Sequence, residues 1–116
     1  MSPISPKTID QATRASLIQM MGEQTFGIFI SRLNAEISDL LIEARDLIDA
    51  QRFEDAALAA HKVAGSAAVL GAEGLRQTII RFEMAARDGY VEECLSALNT
   101  IEQNTPEIMS ALSSGQ

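Results

Sequence analysis

The sequence predicts an all-α protein, an antiparallel up-down four-helix bundle with an additional short N-terminal helix. Three observations carry this. From Phe26 to Leu47 apolar residues return in alternating steps of four and three (Phe26, Ile30, Leu33, Ile37, Leu40, Ala44, Leu47), the seam of a bundle helix. From Phe53 to Leu70 there is no proline and alanine is abundant, which favours a helix. No alternating apolar–polar stretch suggests a strand, and no repeat, low-complexity tract or interdomain linker divides the 116 residues, so residues 1–116 are read as one domain around one core.

The elements follow in order. After a proline-marked leader, Ile9, Ala12, Leu17, Met20 and Met21 suggest a short first helix ending near Gly22. A long helix then covers about Gln24 to Ala50, with Phe29, Leu41 and Ile48 widening its seam. The Phe53–Leu70 helix turns Phe53, Ala56, Ala60, Val63, Ala67 and Leu70 to the core, and Gly71 ends it. A helix from about Ala72 to Arg87 turns Leu75, Thr78, Ile79, Phe82 and Ala86 inward and closes at Asp88-Gly89. The last begins near Tyr90 and is expected to bury Val91, Leu95, Leu98 and Ile101. Thr105-Pro106 either kinks it or caps a final short helix holding Ile108, Met109 and Leu112. Short connections make sequential helices antiparallel neighbours. Met20, Met21, Met84 and Met109 are expected to fill core gaps, and Cys94 to behave as a small apolar residue. The bundle core spans about 24–103, and residues 1–7 and 113–116 are expected to be flexible.

Composition narrows function. A net charge of −7 argues against nucleic acid or anionic membrane as partners, which need lysine and arginine against phosphate. One cysteine excludes an intramolecular disulfide and suits a reducing compartment. No basic and apolar leader reads as a signal peptide, and no run approaches the ~20 apolar residues of a membrane span. A cytoplasmic, monomeric protein is expected, and Met1 with short tails suggests a freestanding one. A single histidine and a single cysteine supply no metal-ligand set, and no paired nucleophile supports hydrolase chemistry.

The informative residue is that histidine, His61. At about 100° per residue it points away from the middle of its helix's core stripe. It stands among Glu54, Ala57, Leu58, Ala64, Gly65 and Ala68, a patch nearly stripped of side-chain bulk. Gly65 costs a helix interior about 1 kcal/mol relative to alanine, so its presence one turn after His61 points to a close approach by another surface. Imidazole is poised near neutral pH to act as nucleophile or proton carrier. If the chain folds back at Gly71-Ala72, His61 lies level with about Glu83. That carboxylate either hydrogen-bonds a ring nitrogen and leaves the other outward, or is a solvated residue on a polar face.

Residues 59–89 resemble the signature of the histidine-containing phosphotransfer (HPt) domain. Ala60-His61, Val63, Gly65-Ser66-Ala67, Leu70-Gly71-Ala72, Leu75, Glu83 and Ala86-Arg87-Asp88-Gly89 fall at the matching places. The helix holding Phe26, Phe29, Ile30 and Leu33 extends the similarity, as does that from Tyr90 to Ile101, giving a span of about Gln24 to Gln103.

The resemblance implies a phosphorelay intermediate. His61 would accept a phosphoryl group on Nε2 from a receiver-domain phosphoaspartate and pass it to another receiver. The chain would be a phosphocarrier with no kinase activity of its own. Its implied partners are response-regulator receiver domains and a hybrid sensor histidine kinase. No cofactor is expected on this chain, because the receiver brings Mg²⁺. Where the family commonly has lysine three residues after the histidine, this chain has Ala64. Lys62 is the expected substitute for screening phosphoryl charge, with Arg76 and Arg81 as other cations, and Glu83 is expected to orient the ring. Phe29, Ala57, Leu58, Ala64, Gly65 and Ala68 are expected to form the receiver-docking face. The alternatives are a non-catalytic HPt-like receiver-binding module, and a homodimeric bundle using the Phe26–Leu47 seam.

Overall fold

A computed structural model describes residues 4–115. Four helices follow in order: α1 (Gln11–Asp49), α2 (Phe53–Leu70), α3 (Glu73–Asp88) and α4 (Val91–Ser114). Each packs on its sequence neighbour and α4 packs back on α1, which closes the four-helix ring. The expected short N-terminal helix is present as the first part of α1. Asp10 caps it by accepting the Thr13 amide at 3.2 Å, and Gly22 breaks it from the long part with φ 82° and ψ 159°. Only glycine enters that region without strain, so the break is written into the residue.

The seam of α1 is buried as expected except that Leu47 is only partly covered and Ile48 takes the innermost place. On α2 the small residues Ala56, Ala60 and Ala67 are fully buried and let flanking helices approach closely. Gly71 then ends the helix in the left-handed conformation, its amide returning to Ala67 and Ala68 carbonyls. From α3 come Leu75, Ile79 and Phe82, and from α4 Leu98, Ile101, Ile108 and Leu112, all buried. Each such side chain contributes about 1.5–3 kcal/mol of burial.

Two expectations need correction. Val91 and Leu95 are exposed, at 40% and 39%, because the inward stripe of α4 runs through Cys94, Ala97, Leu98 and Ile101. Met20 and Met84 do not fill the core, being 81% and 62% exposed, although Met21 and Met109 pack against it. Helix α4 also continues through Pro106 without a second helix starting, while the side chains of Asn104 and Thr105 bond the carbonyls of Thr100 and Ile101.

The tails expected to be flexible lie partly outside the described residues, at 1–3 and 116. Residues 5–10 lie over the α2–α3 turn. The Asp10 amide donates to the Gly71 carbonyl at 2.7 Å and the Gly74 amide to the Thr8 carbonyl at 2.9 Å. Lys7 pairs with Glu107 at 2.9 Å, and Arg14 donates to the Leu112 carbonyl at 2.7 Å, so this segment also ties down the end of α4, which Ser113 and Ser114 complete.

Candidate functional site

His61 stands halfway along α2, at the edge of a groove between α2 and α3. Its side chain is 72% exposed, against 14% for Glu83 directly across the groove. The ring nitrogen Nδ1 lies 3.2 Å from Glu83 Oε1. Glu83 also accepts a bond from Arg87 Nη2 at 3.1 Å, and Arg87 Nη1 donates to Glu54 Oε1 at 2.7 Å. A carboxylate held by a guanidinium can only accept, so the hydrogen of the His61–Glu83 bond belongs to Nδ1. In the neutral ring, Nε2 on the far side then carries the lone pair, toward solvent.

The groove, about 380 Å³, is lined on the α2 side by His61, Ala64, Gly65 and Ala68 and on the α3 side by Arg76, Ile80, Glu83 and Met84. Its walls are mostly apolar and low. The Ala64 methyl forms part of its floor at 6% exposure, while Gly65 and Ala68 open to the surface. A Cβ at Gly65 would meet nothing within 4 Å. Leu58 is 51% exposed on the outer side of α2.

Two expected docking residues fall elsewhere. Ala57 is fully buried against the bundle and offers no surface. Phe29 lies across α2 in a separate groove with Arg32, Ser66 and Val69, and the Arg32 guanidinium carbon stands 5.5 Å from its ring centre.

The cations are also redistributed. Lys62 lines a third groove, between α1 and α2, among Glu36, Asp39 and Glu43, and the structure does not bring it to His61. One residue along a helix is a turn of about 100°, and here that rotation carries Lys62 to the α1 side while His61 faces α3. Arg76 reaches the far end of the histidine groove but is paired with Glu73 at 2.8 Å, and that bond holds the Glu73 carboxyl below its usual range. Arg81 points to Thr100 on α4. The cation joined to the site is Arg87, whose guanidinium Glu83 and then Glu54 hold above its usual range. In the sequence Arg87 stands out only as part of the closing motif Ala86-Arg87-Asp88-Gly89. Its i, i+4 spacing from Glu83 was the signal that could have found it.

Compared with known families, residues 26–114 match the model of the Hpt domain. The chain belongs to the Hpt domain family. Comparison with curated proteins and with solved structures gives no significant match. Hpt domains act in histidine phosphotransfer within phosphorelay signalling, alongside receiver domains and histidine kinases, and this Hpt domain belongs to that chemistry. The match leaves the first part of α1, with the segment that precedes it, outside its bounds. No helix among the described residues is long and apolar enough to cross a membrane.

Proposed function

We propose that this Hpt domain is the phosphocarrier of a multistep phosphorelay, taking a phosphoryl group onto His61 Nε2 from one receiver phosphoaspartate and giving it to another receiver. The observation that carries the reading is the exposed ring whose inner nitrogen is bonded to Glu83 and whose outer nitrogen is free. In the forward step the Nε2 lone pair forms the N–P bond as the P–O bond to the aspartyl carboxylate breaks, and the electron pair leaves with that carboxylate. The ring gains positive charge shared with Nδ1–H, and Glu83 lies where that charge develops. The return step reverses these bonds on the second receiver.

Little other catalytic machinery is needed on this chain, since phosphoryl transfer depends chiefly on positioning and charge neutralisation. The receiver supplies Mg²⁺, and this chain binds no cofactor. Receiver domains dock over Leu58, Gly65 and Ala68, with the Ala64 methyl beneath and Met84 on the α3 side. A hybrid sensor histidine kinase feeds the relay, and the protein works in the cytoplasm as a monomer.

The test is incubation with a phosphorylated receiver, followed by mapping of the phosphate. An acid-labile, base-stable phosphate on His61, absent in His61→Gln, is the expected outcome. A second reading, a receiver-binding module that carries no phosphate, is favoured by one observation, Ala64 in the place where lysine is common. Receiver binding without phosphate acceptance, and a His61→Gln protein that retains its signalling effect, would establish that module and overturn the carrier.

A further inference from the structure

The exposed side chains of the first turn of α2 include one that the phosphotransfer chemistry does not use directly. Glu54 lies seven residues before His61, two turns away on the same helix, and reaches over to α3 to bind Arg87. Arg87 grips Glu83 with its other terminal nitrogen, and Glu83 bonds the ring. The four side chains thus run from α2 to α3 and back to α2, with contacts of 2.7, 3.1 and 3.2 Å.

Glu83 has few ways to hold this geometry unaided. Its side chain is long and flexible, and its two oxygens are interchangeable by rotation. Among the described residues only Arg87 bonds the second oxygen, and a guanidinium fork with one nitrogen left free could swing along the groove. Glu54 occupies that second nitrogen and fixes the fork. The charged groups around the ring are Glu54 on α2 and Arg76, Glu83 and Arg87 on α3, with Lys62 turned to the other groove.

We infer that Glu54 is a positioning residue for phosphotransfer, acting through Arg87 and Glu83 to keep the hydrogen of His61 on Nδ1 and its lone pair on the outward Nε2. This rests on the phosphocarrier reading for its consequence, though not for its geometry. Lysine cannot replace Arg87, because an ammonium lacks the planar fork that meets two carboxylates at once.

The experiment has two arms. In the first, ¹⁵N NMR of the imidazole in the unphosphorylated protein reads which nitrogen is protonated. The wild type is expected to show one tautomer, with hydrogen on Nδ1, and Glu54→Ala and Arg87→Lys a mixture of both. In the second, transfer from a phosphorylated receiver is timed across a pH series, and the rates are compared on the alkaline plateau, where they no longer change with pH. Glu54→Ala is expected to slow transfer two- to five-fold, the scale of a partly exposed ion pair. Glu54→Gln, whose amide oxygen still accepts, is expected to recover most of that loss. In a Glu83→Ala background Glu54→Ala should add nothing, since the path to the ring is already cut.

A single wild-type tautomer in Glu54→Ala would overturn the inference, as would an undiminished effect in the Glu83→Ala background. No phosphate on wild-type His61 would overturn the carrier reading instead, and the tautomer arm would still decide the role of Glu54.

Discussion

An imidazole can serve as a relay when its two nitrogens are given different tasks, and at His61 one hydrogen bond 3.2 Å long sets the inner nitrogen apart from the outer. Glu83→Gln keeps an acceptor at the inner nitrogen and is expected to slow transfer only mildly. Glu83→Ala removes it and is expected to cost about ten-fold, the lower end of what a charge-assisted bond made in the transition state can supply. Single-turnover transfer from a phosphorylated receiver measures both. Lys62→Ala is expected to transfer within about two-fold of wild type, as an exposed charge outside the groove contributes little; a large loss in that assay would return Lys62 to the site. The exposed histidine in its groove was legible in the sequence because small residues around a lone histidine are a local pattern. The cation was not. Spacing along α2 gives the angle of Lys62 but not which helix stands on that side, and although the i, i+4 spacing ties Arg87 to Glu83, only the pairing of α2 with α3 joins it to Glu54 and the ring.

Among the elements, two glycines on neighbouring helices have opposite environments and opposite expected outcomes. Gly65 faces open space beside His61, so Gly65→Gln should leave thermal stability unchanged or raise it by up to about 1 kcal/mol through helix propensity. The longer side chain would stand where a receiver must come close, and transfer is expected to fall while circular dichroism remains that of the wild type. Gly74, in the first turn of α3, is packed under the backbone of Ser5 and Pro6, which a Cβ there would overlap. Gly74→Ala is expected to destabilise by about 1–3 kcal/mol despite the gain in propensity, because backbone cannot yield as a side chain can. Faster hydrogen exchange at the Gly74 and Asp10 amides would show the leader lifting from the turn. The limits of α2 and α3 were readable from alanine runs and closing glycines. The inward stripe of α4 was misplaced near its start, where Val91 and Cys94 are both apolar and only the positions of α1 and α3 decide which is covered. Nothing local marks Gly74 as crowded, since its neighbour lies about seventy residues earlier in the chain.

For the molecule as a whole, stability rests on an aliphatic core with two fully buried phenylalanines, Phe26 and Phe82. Phe82→Ala is expected to cost about 3–5 kcal/mol, a large share of the roughly 5–15 kcal/mol available to a domain of this size, and to lower the denaturant midpoint accordingly. Cys94 belongs to that core and is fully buried, and burial pushes its thiol above the usual range. At neutral pH a thiol reagent should therefore label the native protein only as fast as the bundle opens, and labelling should accelerate in Phe82→Ala. The bundle itself was legible because its seams are long and regular. The leader over the α2–α3 turn was not, because its hold depends on backbone contacts made far along the chain.

The bond between His61 Nδ1 and Glu83 has a consequence for the direction of traffic. On the proposed reading, loading Nε2 would leave that bond in place, so the full and empty ring would keep the same inner partner. A courier of this kind stores no preference of its own. In a relay of the proposed kind, which way phosphate flows would be set by the relative energies of the two acyl phosphates it connects and by how much of each receiver is present, and reversing that ratio should run it backwards.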